Sequence, residues 1–248
     1  MKKLLIILYL CCTQLAFGQE VKDEGIVTYT RQTFWAKIAS GMKYLSAEEK
    51  DRIKLTWGTS DDGWKQKMML YFKPTESLFT YGEDNEEDGG YSWRKEEYLI
   101  HRNFETERKL EVIEMLGKTY IVNDSLHVPN WKIMNQIKDI NGYICMKAIT
   151  EDTVKHQKIV AWFAQDIPIQ AGPERYFGLP GLIMELDIND GNVILLADKI
   201  EFKKLTKETT LKKPKGKVIT DREYDKILSD YIKETIKAYR NPFWGIRY

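Results

Sequence analysis

The sequence predicts a β-rich α+β fold. It has a single curved antiparallel sheet, a meander or LolA-like half-barrel, with a short helix in its N-terminal half and an amphipathic C-terminal helix. Three observations lead there. Runs rich in β-branched and aromatic residues recur from Gly25 to Phe202. Turn signals separate them at spacings that suit hairpins, whereas parallel strands would need long crossovers. Apolar residues at helical spacing then run from Tyr224 to Tyr239.

The elements follow in chain order. Gly25 to Trp35 (GIVTYTRQTFW) reads as a strand. Ser46 and Glu49 form an S-x-x-E capping box ahead of a short helix from Lys50 to Trp57, ended by Gly58 and Asp61-Asp62-Gly63. Met68 to Lys73 and Ser77 to Tyr81 read as strands split by Pro74. Leu110 to Met115 and Thr119 to Val122 flank a turn at Gly117-Lys118. Trp131 to Asp139 and Tyr143 to Thr150 flank Asn141-Gly142, whose residue types supply the two positive φ angles of a type I′ hairpin turn. Val160 to Ala164 is another strand. From Leu182 to Ile188, apolar residues alternate with Ile183, Glu185 and Asp187, giving one mostly polar face. Asn189-Asp190-Gly191 turns the chain into Val193 to Phe202. A basic connector from Lys203 to Lys217 leads to the C-terminal helix, which Asn241-Pro242 stops; docking on the sheet is the reading its amphipathic stripe favours.

The 248 residues are 43% hydrophobic and 30% charged, an ordinary globular balance. The formal charge of +1 lacks the basic surplus expected of a nucleic-acid binder. Lys2 and Lys3, the apolar run Leu4 to Leu10 and the small residues Ala16 and Gly18 compose an export signal over residues 1–18. The run is too short to span a bilayer, which takes about 20 apolar residues. Leu10 and Cys11 stand where a lipobox carries a small residue, so lipidation is not the expectation. Removing residues 1–18 loses two lysines and two of the three cysteines, so the charge moves from +1 to −1 and Cys145 alone remains. The remainder, 19–248, is expected to form one domain held by its core rather than by disulfides, with no transmembrane span.

Motifs for known chemistry are missing. The sequence has no G-x-S-x-G, H-E-x-x-H, P-loop or G-x-G-x-x-G. His101, His127 and His156 fall on separate elements without metal-ligand spacing. The acidic run Glu83 to Gly90 lacks the spacing of a calcium loop and reads as a solvated loop. Cys145 lies mid-strand, away from any helix N-terminus that would activate it, and reads as a small buried hydrophobe. No catalytic residue, metal or cofactor is therefore expected.

Ile167 to Ile183 (IPIQAGPERYFGLPGLI) is the most unusual stretch. It mixes Gly and Pro with large apolar groups, so it is expected to be packed. Pro180-Gly181 suits the centre of a type II turn. Two readings stay open: a rigid turn that puts Leu179 and Leu182 in the core, or a shaped loop that meets a partner or ligand. The second gives the candidate binding residues Trp162, Pro168, Phe177, Gly178, Leu179, Pro180, Gly181, Leu182 and Ile183.

Phe177-Gly178-Leu179-Pro180-Gly181-Leu182-Ile183 contains the motif that names the GLPGLI family of Bacteroidota, and the chain resembles that family elsewhere too. Gly142-Tyr143-x-Cys145-x-Lys147-Ala148 resembles its hairpin motif; Ala161-Trp162-Phe163 with Ile167-Pro168, and Gly172-Pro173, resemble two others. Asp166 and Met184 are mild departures, standing for Glu and Leu. The resemblance implies an exported, β-rich protein, periplasmic or outer-membrane-associated, with no established enzymatic activity. Members are often encoded near outer-membrane TonB-dependent transporters, which implies an accessory role beside such a partner. Three functional readings result: an envelope accessory protein that binds another protein through the Pro/Gly loop, a carrier of an apolar ligand (lipid or lipoprotein), and a hydrolase built on Cys145 or a carboxylate with a histidine.

Overall fold

The computed structural model describes residues 22–58, 63–82 and 97–248. The export signal, Asp61-Asp62 and the acidic run from Glu83 to Gly90 lie outside the described residues.

β1 (Gly25–Thr33) forms where the sequence alternates Val27, Tyr29 and Arg31 with Thr28, Thr30 and Gln32. It sits mid-sheet, antiparallel to β2 (Trp64–Lys73) on one side and to β11 (Val193–Phe202) on the other. From β2 the meander runs through β3 (Glu76–Tyr81), β4 (Tyr98–Asn103), β5 (Arg108–Met115) and β6 (Lys118–Ser125). The other flank holds β10 (Leu182–Ile188), β9 (Gln157–Ala164), β8 (Tyr143–Asp152) and β7 (Lys132–Ile140). With β12 (Lys217–Ile219), the described residues form one 12-stranded open sheet in the order β12-β6-β5-β4-β3-β2-β1-β11-β10-β9-β8-β7. The β-rich α+β class expected from the sequence is the class observed.

The hairpin turns carry the residue types that their backbone demands. Asn141 and Gly142 have φ of 53° and 80°, the signature of the expected type I′ turn. The β5–β6 turn is centred on Leu116-Gly117, both at positive φ, one residue earlier than expected. Asn189, Asp190 and Gly191 all turn left-handed.

Four differences from the sequence reading have physical causes. First, the described residues of the N-terminal half hold two helices rather than one, because the strand stops at Thr33 and α1 (Trp35–Gly41) follows. α2 (Ala47–Trp57) begins three residues before the expected Lys50, with half of the expected capping box: the Ser46 side chain accepts from the Glu49 backbone N–H, while the Glu49 carboxylate pairs with Arg52. Second, the basic connector ends in β12 (Lys217–Ile219), which pairs parallel to β6. Among the described residues that is the one parallel pair, and no helix lies between its two strands in sequence. Third, a bulge between Ile183 and Glu185 breaks the alternation of β10, so Ile183 is buried too. The Tyr29 hydroxyl donates to its carbonyl at 2.5 Å. Fourth, Pro180-Gly181 does not form a type II turn: Gly181 lacks positive φ, and its N–H instead reaches the Leu179 carbonyl at 2.8 Å around Pro180.

One apolar core runs along the sheet. It joins Tyr29, Leu70, Phe72, Phe79, Ile100 and Phe163 to Ile38 of α1, Ile53 of α2, and Ile167 and Leu179 of the segment leading into β10. α3 (Asp221–Lys237) starts at a full capping box of Thr220 and Glu223 and adds Tyr224 and Leu228 to the same core. Its apolar stripe therefore docks against the body of the protein. A 3-10 turn (Pro242–Trp244) follows, its start capped by Asn241 as the Phe243 N–H donates to Oδ1. No helix among the described residues is long and apolar enough to cross a membrane.

Candidate functional site

The segment from Gln165 to Gly181 crosses the molecule between β9 and β10 as a packed insert. Backbone bonds pin it: Gly178 N–H to the Gln170 carbonyl at 2.8 Å, Leu182 N–H to Ile167 at 3.0 Å, and Ile183 N–H to Ala171 at 3.2 Å. Two glycines are required for different reasons. Gly178 has φ of 86° and lies against Val128. At Gly181 a Cβ would stand 2.2 Å from the Ala164 carbonyl oxygen, so only glycine permits the approach.

The structure separates the expected binding residues. Phe177, Leu179, Gly181, Leu182 and Ile183 are buried, and their apolar side chains are core. Gly178 and Trp162 are half-buried. The Trp162 ring carries Lys138 Nζ 4.5 Å and Lys147 Nζ 5.7 Å from its centre. Pro168 and Pro180 alone of the nine are exposed. The motif thus shapes its surroundings from inside.

What the segment delivers is a pair of adjacent opposite charges, Glu174 and Arg175. Glu174 adopts a left-handed φ of 53° and is 5% exposed. Its carboxylate accepts from Arg247 Nε at 2.9 Å and Nη2 at 2.6 Å, from Arg31 Nε at 3.3 Å and from the Tyr98 hydroxyl at 2.5 Å. Burial alone would raise its pKa. Arg247, Arg31 and these hydrogen bonds outweigh burial and hold the carboxyl down at about 2. Arg247 also lies over the Tyr98 ring at 4.0 Å and donates to the Tyr81 hydroxyl at 3.1 Å. Arg102, 1% exposed, has no carboxylate within ion-pair distance among the described residues. It donates to the carbonyl oxygens of Gly172 and Glu174 and packs on the Phe177 ring at 4.9 Å.

Arg175 serves a second cluster. Its guanidinium meets Glu111 at 3.0 Å, pairs with Asp221 at the start of α3, and lies 4.7 Å from the Tyr224 ring centre. Lys109 bridges the same two carboxylates, at 3.0 Å to Glu111 and 2.6 Å to Asp221. Both clusters stand at the wall of a cleft of about 510 Å³. Asp152 at the end of β8, Lys155 of the β8–β9 turn, Tyr176, Asp225 and Tyr248 also line it. Lys155 is held below the ordinary lysine range by burial, against the opposing pull of Asp152 and Glu174. Asp225 is raised, also by burial first. The cleft thus presents both signs of charge beside aromatic faces, on side chains that buried partners hold in place.

Sequence reasoning passed over Arg31, Tyr98, Arg102, Lys109, Glu111, Glu174, Arg175 and Arg247. A signal existed. Arg31 shares a strand face with Val27 and Tyr29, and Arg102 shares one with Tyr98 and Ile100. A charge at an inward position of an alternating strand implies a buried counter-charge.

The remaining candidates lie apart. Cys145 is buried and free, its thiol pushed up to about 11 by burial, and its sulfur points to the Tyr143 carbonyl. His101 sits against Glu76 at 2.8 Å, His127 near Asp221 at 3.6 Å, and His156 is exposed. No thiol–imidazole pair forms among the described residues. Nor do three or more His, Cys, Asp or Glu among them gather as metal ligands would.

Comparisons with known proteins add the following. Two solved structures of PNGF-II, in C2 and P21 crystal forms, superpose with a TM-score of 0.54 at 12% identity. They cover 83% of this chain but only 32% and 33% of their own, so the chain spans about a third of the length of the PNGF-II structures. At that identity the likeness is one of fold. An uncharacterized conserved protein from Thermus thermophilus aligns over 79% of this chain and 90% of its own, at 6% identity and a TM-score of 0.37. No curated protein sequence matches the chain. Residues 149–185, from within β8 through the Pro/Gly segment into β10, match the family described as protein of unknown function (Porph_ging).

Proposed function

We propose that this chain is an exported cell-envelope binding protein of the GLPGLI family, one that assists another envelope protein and performs no catalysis. The expected partner is an outer-membrane transporter of the TonB-dependent kind. The export-signal pattern of residues 1–18 and the four resembling motifs support the setting. One observation carries the binding reading: the Pro/Gly segment, with its motif side chains in the core, sends Glu174 and Arg175 to the wall of a cleft bearing both charge signs and aromatic faces. Buried ion pairs fix those groups before any partner arrives, and preorganisation of that kind lowers the ordering cost of binding. The chemistry fits a protein segment with both acidic and basic side chains better than a lipid. The apolar-carrier reading draws no comparable support, because the sheet's core face is filled by side chains.

Photo-crosslinking in intact cells tests this. A photoreactive residue at Arg222, exposed at the cleft mouth, should give a discrete protein adduct. One at Leu196 on β11, at 37% exposure, should not. Adducts from Pro180 and none from Arg222 would move the interface to the elbow. Equal, diffuse adducts from all three would end the binding proposal.

A further inference from the structure

A second cleft, of about 540 Å³, opens between α2, α3 and the 3-10 turn, away from the Glu174 site. Its lining has a distinct composition. Tyr231, Tyr239 and Trp244 supply aromatic faces; Glu49, Arg52, Glu234 and Arg240 supply two carboxylates and two guanidiniums. Trp244 is held from behind by Trp35, ring centres 4.6 Å apart, yet keeps 47% of its surface exposed. Trp57 packs at 6.5 Å from it. Glu49 pairs with Arg52, while Glu234 and Arg240 make no ion pair among the described residues.

Asn241 is among the residues of the same cleft, and of those residues it is the buried one. Its Oδ1 accepts from Phe243, but its Nδ2 has no hydrogen-bond partner. A buried amide with two unused donors is costly and calls for an acceptor.

We propose that this cleft binds a neutral saccharide chain. A pyranose ring has an apolar C–H face and a rim of hydroxyls. The face suits a fixed indole and phenol surface, which an exposed tryptophan clamped by a second one supplies. Each hydroxyl both donates and accepts, so it is matched by carboxylates and guanidiniums together. The equal numbers of the two charges select against a strongly anionic or cationic ligand. The volume lies within the usual range for small-ligand sites, roughly 300 to 1,000 Å³.

Calorimetric and tryptophan-fluorescence titrations of the purified protein test this, with short malto-, cello-, xylo-, manno- and chito-oligosaccharides as probes. At least one series should bind and shift the tryptophan emission. Glu234→Ala and Arg240→Ala change exposed residues and should keep the melting curve, yet each should weaken binding roughly tenfold. Trp244→Phe should weaken it less than Trp244→Ala. Arg222→Glu, at the other cleft, should leave it unchanged, which separates this site from the partner-binding proposal. No binding by any series at millimolar concentration overturns the proposal. So does binding untouched by Glu234→Ala and Arg240→Ala together. Attachment to phosphatidylethanolamine–phosphatidylglycerol vesicles that Trp244→Ala abolishes, with no saccharide bound, reassigns the aromatic cluster to a membrane surface and also overturns it.

Discussion

Arg247 reaches back 73 positions to grip Glu174, with Nε at 2.9 Å and Nη2 at 2.6 Å from the carboxylate oxygens. The tail beyond the 3-10 turn and the Pro/Gly segment are thereby tied together in the interior, with Arg31 of the central strand as a third member. The tie joins segments that share no local sequence pattern.

Breaking it from the acidic side should be severe. Glu174→Gln keeps the shape but leaves Arg31 and Arg247 buried without their counter-charge. A loss of about 3–5 kcal/mol is expected, measured by urea denaturation. Replacing Arg247 by Met in the same variant should restore part of the loss. Full stability in the single variant would show that the cluster is not coupled to folding.

The same carboxyl sets an acid limb. Its folded pKa of about 2 lies below the ordinary value of 4.5, so the charged form is favoured by folding. That contribution is fully present above pH 4.5 and is lost as pH falls toward 2. Glu76, held at about 2 against burial by Lys73, His101 and Thr209, adds in the same window and the same direction. The wild-type melting temperature should therefore drop between pH 4.5 and 2, and Glu174→Gln should show a shallower drop. Parallel curves for the two proteins would refute the assignment.

Two glycines should respond unequally to alanine. At Gly181 the new methyl would meet the Ala164 carbonyl at 2.2 Å, and at Gly117 it would meet nothing within 4 Å. Gly117→Ala then bears only the left-handed backbone penalty, about 1 kcal/mol. Gly181→Ala must move backbone and is expected to cost about 3 kcal/mol or more. Equilibrium unfolding of both variants checks the ranking.

Cys145 should resist alkylation in the native protein and react once unfolded. Its sulfur is buried and its thiol sits at about 11, so little thiolate exists at neutral pH. Peptide mass spectrometry after iodoacetamide, with and without urea, reads the difference. Rapid native labelling at Cys145 would place it at an accessible site.

Much of the fold was legible in the chain. β-branched and aromatic residues marked β1, alternation marked β10 apart from Ile183, Asn141-Gly142 specified a type I′ turn, and Ser46 with Glu49 marked a helix start, because each is a local pattern whose residue types allow few conformations. β12 was hidden, since a three-residue strand carries no usable periodicity and only the neighbouring β6 makes it one. The Pro180-Gly181 geometry was misjudged for a related reason: the glycine answers to the distant Ala164 carbonyl rather than to its own turn.

By itself, then, the sequence determined an antiparallel, β-rich body with helices at its flanks, an export-signal pattern and a packed Pro/Gly segment. Only the tertiary structure decided that the motif's apolar side chains face inward and that Arg31, Glu174 and Arg247 meet. Local patterns encode backbone shape over a few residues. The position of one buried charge relative to another depends on how the strands are ordered in the sheet and on what packs across it. That is a sum over long-range contacts which no short window of sequence contains.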